Sequence, residues 1–544
     1  MTASEPADDR PAYPALTGSQ LTVLARYGSR REMTAGEIIY SPADESNDLV
    51  VVLSGEIEVR DESRGRDVAF ATFGPGTFVG ELNLLTGQRP YVTARASVAG
   101  VVVRITPERL RALLDRETEV ADVLVAALVA RRQLRLADSA ERSPIEVIGT
   151  PLSEHTLALR TFLSRNTVPY RFTEFDASAA TAAGDDLPVV IAADRVLRRA
   201  TPHMLAAALG LSAAPDDHRP YDVAVVGAGP AGLAAAVYGA SEGLRVVVFD
   251  ATAPGGQAGT SSRIENYLGF PDGISGADLT SRATIQAQRF GARISSPSRI
   301  AAIEPGPTGF VLTLTDGSRA LARAVVVAAG AEYRRLPLDN WDRFEGAGIY
   351  FAATELEAGL CAGAEAVVLG GGNSAGQAAL HLARRCTRVT IVIRRNALTE
   401  SMSHYLIDRI MAHDSIDVAS STVIGAVLGG DRLEKVELHD TRSGEKRLVG
   451  ARGLFCFIGA DPGTAWMPER VRRDDHGFVL TDADLPESPG RRRLRYETSL
   501  DGVFAAGDVR LGSMKRVAAA VGEGSSVIRS VHHYLELQSS AGEG

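Results

Sequence analysis

The chain has 544 residues, enough for about three or four domains, and 45% of them are hydrophobic, ample material for several cores. A formal net charge of -9 argues against a nucleic-acid-binding surface, and no segment has the uninterrupted apolar length that spans a bilayer. The three cysteines, Cys361, Cys386 and Cys456, stand far apart with no CxxC spacing, so neither a disulfide framework nor a zinc site is implied and no metal is expected.

The polar start, MTASEPADDRPAYPALTG, lacks a signal-peptide pattern, which makes the cytoplasm the expected location. From about Leu21 to Arg104 the sequence reads as short strands between turn signals: GEIIY, DLVVVLSGEIEVR, VAFATF and ARASVAGVVVRI. The alternation over Val50 to Val59 predicts a small antiparallel barrel or roll. Two helices are expected next, Pro107 to Leu114 and Thr118 to about Ala137; the apolar face of the second suits packing or dimerisation.

Inside the roll, Phe78-Val-Gly-Glu-Leu-Asn-Leu-Leu-Thr-Gly-Gln-Arg-Pro90 is a glycine turn leading into a short apolar helix. This order resembles a cyclic nucleotide-binding domain, with Gly80, Glu81 and Leu82 at the family's phosphate-binding cassette. The resemblance implies helix-start amides on the cyclic phosphate and a glutamate on the ribose 2′-hydroxyl. The family pattern expects Pro-Arg at the cassette's end; here Arg89 precedes Pro90, so the proline occupies the arginine's place. Either Arg89 reaches a phosphate by a bent path, or the domain is a retained scaffold. Nothing resembling a DNA-recognition helix follows.

From Pro144 the pattern becomes strand, loop, helix, then Leu187-Pro-Val-Val-Ile191 and a closing helical stretch to Leu211. It resembles the glutaredoxin branch of the thioredoxin fold, in which the strand-opening proline, here Pro188, is cis. Redox-active relatives place Cys-x-x-Cys after Thr-Pro-x; here Ser153 and Thr156 stand at those positions after Thr150-Pro151-Leu152. A hydroxyl cannot cycle through a disulfide. Ser153 is expected to act as a helix N-cap, His155 to be an exposed first-turn residue, and the domain to be redox-inactive with a docking groove beside Pro188.

Tyr221 to Asp250 carries an apolar strand, the turn Gly227-x-Gly229-x-x-Gly232, an Ala-rich helix and a second apolar strand closed by Asp250. That is a βαβ dinucleotide fingerprint in full context: one glycine for the tight turn, one for backbone approach to a pyrophosphate, one for helix-strand packing, and an acid for a ribose hydroxyl. Downstream lie Ala253-Pro-Gly-Gly-Gln-Ala-Gly259, Arg263-Ile-Glu-Asn-Tyr-Leu-Gly-Phe-Pro271, an apolar strand over 324–331, Thr498 to Val509 containing Gly507-Asp508, and Lys515 to Gly524. These pieces in this order resemble the low-molecular-weight thioredoxin reductase family of flavoproteins. By that resemblance Gly255, Gly256, Gln257 and Asn266 would line the isoalloxazine and ribityl of FAD, Asp508 would bind the ribityl hydroxyls, and Lys515, Arg516 and Val517 would begin a helix aimed at the flavin's pyrimidine end.

A second βαβ unit sits between these pieces, with Gly370, Gly372, Asn373, Ser374 and Ala375 at the turn and a strand ending in Arg394-Arg395. Guanidinium groups where NAD-binding units carry an acid favour a 2′-phosphate, hence NADPH. Ile393 stands where family members often have histidine. Thioredoxin reductases carry Cys-Ala-Thr-Cys just before this unit; the corresponding positions here are Ala352 and Glu355.

The expected architecture is therefore multidomain: a β-roll over 17–137, a thioredoxin/glutaredoxin-like α/β domain over 144–213, a discontinuous Rossmann-like FAD domain over 220–336 and 459–537, and a Rossmann-like NAD(P)H domain over 337–458. The expected activity is an FAD-dependent NADPH oxidoreductase that passes electrons to an external acceptor, with N-terminal regulatory or docking domains and a homodimeric state taken from the family. Glu355 is either an exposed carboxylate or a proton donor near the flavin. Two alternatives stay open: a cyclic-nucleotide or redox sensor with little turnover, and a thioredoxin reductase using non-standard cysteines, among which Cys386 is expected to be partly exposed. Relatives without the cysteine pair act as ferredoxin- or flavodoxin-type NADP reductases, so the class has precedent.

Overall fold

The computed structural model describes the chain except for residues 1–10, 45–46, 63–67, 81–88, 91, 138–144, 152, 167, 176–185, 193–194, 212–218, 262, 307–308, 487–491 and 543–544. Two long strands, Leu49–Asp61 and Thr93–Ile105, pair antiparallel at the centre of the N-terminal roll. Their alternation sorts side chains to two cores. Leu49 and Val51 join Phe78, Val103 and the helices Pro107–Arg116 and Thr118–Ala137, whereas Val50, Val52, Ile57 and Val59 fill the roll's interior. Arg131 closes the first core: it is 4% exposed, donates to the carbonyls of Ala12 (2.6 Å) and Phe78 (3.1 Å), and lies over the rings of Tyr13, Phe73 and Phe78.

A four-stranded sheet follows in the order Arg195–Leu197, Val189–Ala192, Ile145–Gly149, Arg171–Glu174. Only the last pair is parallel, and the intervening helix Glu154–Arg165 makes its crossover. The Leu187–Pro188 bond is cis.

The largest sheet has Tyr221–Val226 at its centre, flanked in parallel by Val246–Phe249 and Arg319–Val327. The C-terminal strand Val503–Ala505 adds in parallel beside Arg319–Val327, so the chain returns to this sheet after the second βαβ unit. One face, with Val223 and Val225, packs the helices Pro230–Ser241, Gly276–Arg289 and Val517–Gly542; the other buries Ala224 and Val226. Near-continuous β-branched strands are what a parallel sheet covered on both faces requires.

Within 337–458 a five-stranded parallel sheet runs Ile349–Tyr350, Gly453–Cys456, Glu365–Leu369, Arg388–Val392, Ile416–Ala419. It connects to the larger sheet's unit through the short antiparallel pair Ala331–Tyr333 and Ala460–Pro462. One contact brings the roll onto this body, and a second joins the roll to the four-stranded unit. Ile285, from the helix Gly276–Arg289, is buried within the roll's helical core, and the Arg89 amide donates to the Leu209 carbonyl at 2.9 Å. No helix among the described residues is long and apolar enough to cross a membrane.

Candidate functional site

A cavity of about 650 Å³ opens at the C-terminal ends of the central parallel strands, the position where open α/β sheets bind ligands. Its floor is the first glycine turn. Gly227 has φ +104, and a Cβ there would lie 2.3 Å from the Ala328 carbonyl oxygen; a Cβ at Gly232 would lie 1.8 Å from that of Gly227. The turn therefore closes only with glycine. Gly229 caps the helix Pro230–Ser241, and its first-turn amides face the cavity as a site for phosphate.

Asp250 holds this turn together. One carboxylate oxygen accepts from the amides of Thr252 and Ala253 at 2.9 Å each, and the other from Ala228 at 2.8 Å. Three of its four acceptor positions are filled, and the fourth stays open among the described residues. The loop Ala253–Gly259 folds over the same edge. The Gly255 amide donates to Ala228 at 2.8 Å, a Cβ on Gly256 would lie 2.8 Å from the Gly229 Cα, and Gln257 donates to Ala331 at 2.5 Å.

At the far end Asp508 lines the cavity and accepts no hydrogen bond among the described residues. Burial raises its carboxyl above the ordinary carboxylate range; Lys515 opposes the rise and Glu523 adds to it. Glu523, 9% exposed, accepts from the Gly507 amide at 2.7 Å and pairs with Arg510 at 2.8 Å, which fixes the Gly507-Asp508 turn. Lys515, Arg516 and Val517 line the cavity where the helix Val517–Gly542 starts, with Lys515 4.4 Å above the Phe478 ring. An unpartnered carboxylate, a glycine-only cradle and a helix start at opposite ends of one cavity fit the hydroxyls, pyrophosphate and ring of FAD.

Of the sequence-derived set, Gly227, Gly229, Asp250, Gly256, Gln257, Asp508, Lys515, Arg516 and Val517 line this cavity, and Ala352 and Ser374 from the second unit join them. Gly232, Gly255 and Gly507 support its walls from behind. Asn266 departs from expectation: it is exposed and outside the lining. The backbone pair Ile264 and Ile274 pins the base of an excursion that carries residues 265–273 away.

The second turn repeats the geometry. Gly370 has φ +136 with the Phe457 carbonyl oxygen 2.3 Å from where a Cβ would stand, and Gly372 caps the helix Asn373–Leu382, which contains Ser374 and Ala375. Asn373 is clasped to Ser403 through two hydrogen bonds of 2.8 and 2.9 Å. Arg394 and Arg395 are both exposed beyond the strand Arg388–Val392. Arg395 donates to the Glu400 carbonyl at 3.4 Å, and Arg394 has no ion pair among the described residues.

Ala352 is a methyl group on the cavity wall, and Glu355 is 67% exposed in an ion pair with Arg385. Cys386, expected to be partly exposed, is buried: its thiol turns into the core beside Val389 and donates to the Cys361 carbonyl at 3.5 Å. Burial pushes the Cys361 thiol up to about 12 and raises Cys386 and Cys456 as well, so none is poised as a thiolate. In the middle region Ser153 stands at the N-cap, but its hydroxyl accepts no first-turn amide; only its carbonyl engages the helix, accepting from Leu157 at 2.9 Å. His155 is exposed, and Thr156 is fully buried.

In the roll, Gly80 has φ +98 and its carbonyl accepts from the buried Asn47 amide at 2.7 Å. Glu81 and Leu82 lie outside the described residues. Arg89 is tied by its backbone to Leu209, as above. Among the described residues no cluster of His, Cys, Asp or Glu is placed to hold a metal ion.

Residues 221–524 match the family model of pyridine nucleotide-disulphide oxidoreductases. The chain belongs to that family. Residues 30–117 match the cyclic nucleotide-binding domain. Among curated proteins the chain is 35% identical to the thioredoxin reductase of Streptomyces clavuligerus over 317 residues, 58% of this chain and 94% of that protein. It is 33% identical to that of Treponema pallidum, over 58% and 97%. The crystal structure of T. acidophilum thioredoxin reductase matches with TM-score 0.53 and 28% identity over 59% of this chain and 99% of its own. The Lactococcus lactis enzyme in its FR conformation gives 0.53 and 26% over 58% and 98%. The protein is accordingly an FAD-dependent NADPH oxidoreductase of this family, with a cyclic nucleotide-binding domain before it.

One residue that touches this oxidoreductase's cavity was invisible in the sequence. Arg165, from the helix Glu154–Arg165 outside the matched region, donates to the carbonyls of Gly256 (2.9 Å) and Ala253 (3.2 Å) and lines the cavity. Glu523 was signalled only by standing between two glycines.

Proposed function

We propose that this protein transfers two electrons from NADPH to an acceptor that is not part of its own chain. The observation that carries the reading is the pair Ala352 and Glu355 at the redox-cysteine positions, together with three cysteines that are all buried. When bound, the flavin supplies the two-electron chemistry that no side chain here offers. Gly227, Gly229, Gly232 and the helix start hold its pyrophosphate, Asp250 a ribose hydroxyl, Asp508 the ribityl hydroxyls, and Gly255, Gly256, Gln257, Lys515, Arg516 and Val517 the ring. Gly370, Gly372, Asn373, Ser374 and Ala375 hold the NADPH phosphates, with Arg394 and Arg395 on the 2′-phosphate. The relatives are named thioredoxin reductases; thioredoxin itself is not the substrate in this reading, since its disulfide needs a thiol to exchange with.

The domain boundaries proposed are 17–137, 144–213, 220–336 with 459–537, and 337–458. The middle unit is a redox-inactive thioredoxin/glutaredoxin-like domain, supported by its sheet order and by Pro188 opening its third strand. A cyclic nucleotide at Gly80 and the neighbouring cassette regulates the enzyme, and the route is the Arg89–Leu209 contact followed by Arg165 on the flavin loop. The working form is a cytoplasmic homodimer. The test is steady-state turnover. NADPH bleaches the flavin of the purified protein, and an added acceptor restores it at a sustained rate; one slow reduction with no turnover in any acceptor would favour a sensor instead.

A further inference from the structure

A second cavity, of about 470 Å³, adjoins the first and shares Arg165, Thr260, Ser261, Ala352 and Gln377 with it. Its remaining wall comes from the helix Glu154–Arg165, the flavin-binding part and the second βαβ unit, so it exists only where the three meet. Such a volume suits a small molecule. A folded redox protein cannot enter it.

One wall residue is unusual. His381, 8% exposed, lines the chamber with Nε2 in no hydrogen bond among the described residues, its nearest charged group the Glu355 carboxylate at 3.7 Å. A buried imidazole nitrogen without a partner costs free energy unless something occupies it. Of the other charged groups on the wall, Glu265 pairs with Arg409 at 2.9 Å and Arg263 at 3.6 Å, Glu357 closes the Thr354 capping box and Arg165 donates to backbone carbonyls, while Arg384 makes no ion pair among the described residues.

We propose that this cavity is the acceptor chamber, that it takes a small quinone, and that His381 protonates the quinone oxygen. The proposal rests on the reading above that the acceptor is external. No cysteine lines the chamber, so disulfide exchange has no partner there. A one-electron metal centre would need no proton donor, whereas quinone reduction does. NADPH gives up two electrons and one proton and leaves as NADP⁺; His381 delivers the second proton and is recharged from solvent past the exposed Glu355; both carbonyl oxygens end as hydroxyls of a hydroquinone.

The pH dependence follows. Burial lowers the His381 pKa below the ordinary histidine range; Glu355 opposes this, and Arg384 and Arg385 add to it. The donor is the protonated form, so quinone reduction declines as pH rises through that lowered value.

The experiment uses the full FAD-loaded chain. Oxidised protein without NADPH is titrated with 2-methyl-1,4-naphthoquinone by calorimetry, and turnover is measured across pH with that quinone and with ferricyanide. Saturable binding is expected, lost in Leu380→Trp, which fills the chamber. The ratio of quinone to ferricyanide rates falls about a hundredfold in His381→Gln. In Glu355→Gln, an exposed site that the fold tolerates, the pH limb moves lower. Non-saturable binding, or an unchanged ratio and pH profile in both variants, overturns the chamber while ferricyanide turnover leaves the external-acceptor reading standing. Absence of turnover with either acceptor defeats both.

Discussion

Arg165 Nη2 and the Gly256 carbonyl, 2.9 Å apart, join a helix outside the oxidoreductase region to the loop that closes over the flavin cavity. A guanidinium donating to two carbonyls of one loop fixes that loop's distance from the cavity floor, where Gly256 already lies against Gly229. The middle unit is thus mechanically part of the cavity.

Arg165→Ala should weaken FAD binding. A hydrogen bond from a charged donor contributes about 1–2 kcal/mol at a half-buried position, which corresponds to about a five- to thirtyfold rise in the FAD dissociation constant. Equilibrium dialysis of the variant measures it, and unchanged FAD retention would show that the contact is incidental.

Gly232→Ala should yield colourless protein. Its added methyl would stand 1.8 Å from the Gly227 carbonyl oxygen, so the helix must lift off the turn proposed to hold the pyrophosphate. The ratio of flavin to protein absorbance after purification reads this, and a normal ratio would mean that the turn has more room than the packing shows.

Replacing Arg394 and Arg395 together by alanine should raise the Michaelis constant for NADPH about ten- to a hundredfold through loss of charge-assisted hydrogen bonds, with NADH barely affected. Equal changes for the two nucleotides would remove the pair from 2′-phosphate recognition.

Cyclic AMP or cyclic GMP at millimolar concentration should raise the melting temperature, and Glu81→Ala should cancel the shift. No shift with either nucleotide would leave the roll as a scaffold coupled to the enzyme only by packing.

Both glycine turns were legible because φ above +100 at Gly227 and Gly370 and carbonyls within 2.3 Å of an absent Cβ leave no alternative residue. The roll's strands were legible because their alternation divides Leu49 and Val51 from Val50 and Val52. Cys386 was misread because the two preceding arginines point to solvent; one position later the chain turns its thiol inward. Asn266 was placed by a family pattern, but the Ile264–Ile274 pairing carries its loop outward. Arg165 and His381 gave no signal, and Arg89 was singled out for a phosphate but not for its backbone bond to Leu209, since these roles come from docking between segments distant in sequence, which local periodicity does not encode.

The most direct test of the central claim is an anaerobic titration of the FAD-loaded protein with NADPH, followed by flavin absorbance and counted as electrons taken up per flavin. Two electrons are expected, because Ala352 and Glu355 cannot form a disulfide and the buried thiols stay protonated. Uptake of four would require a second redox centre among Cys361, Cys386 and Cys456 and would contradict an external acceptor.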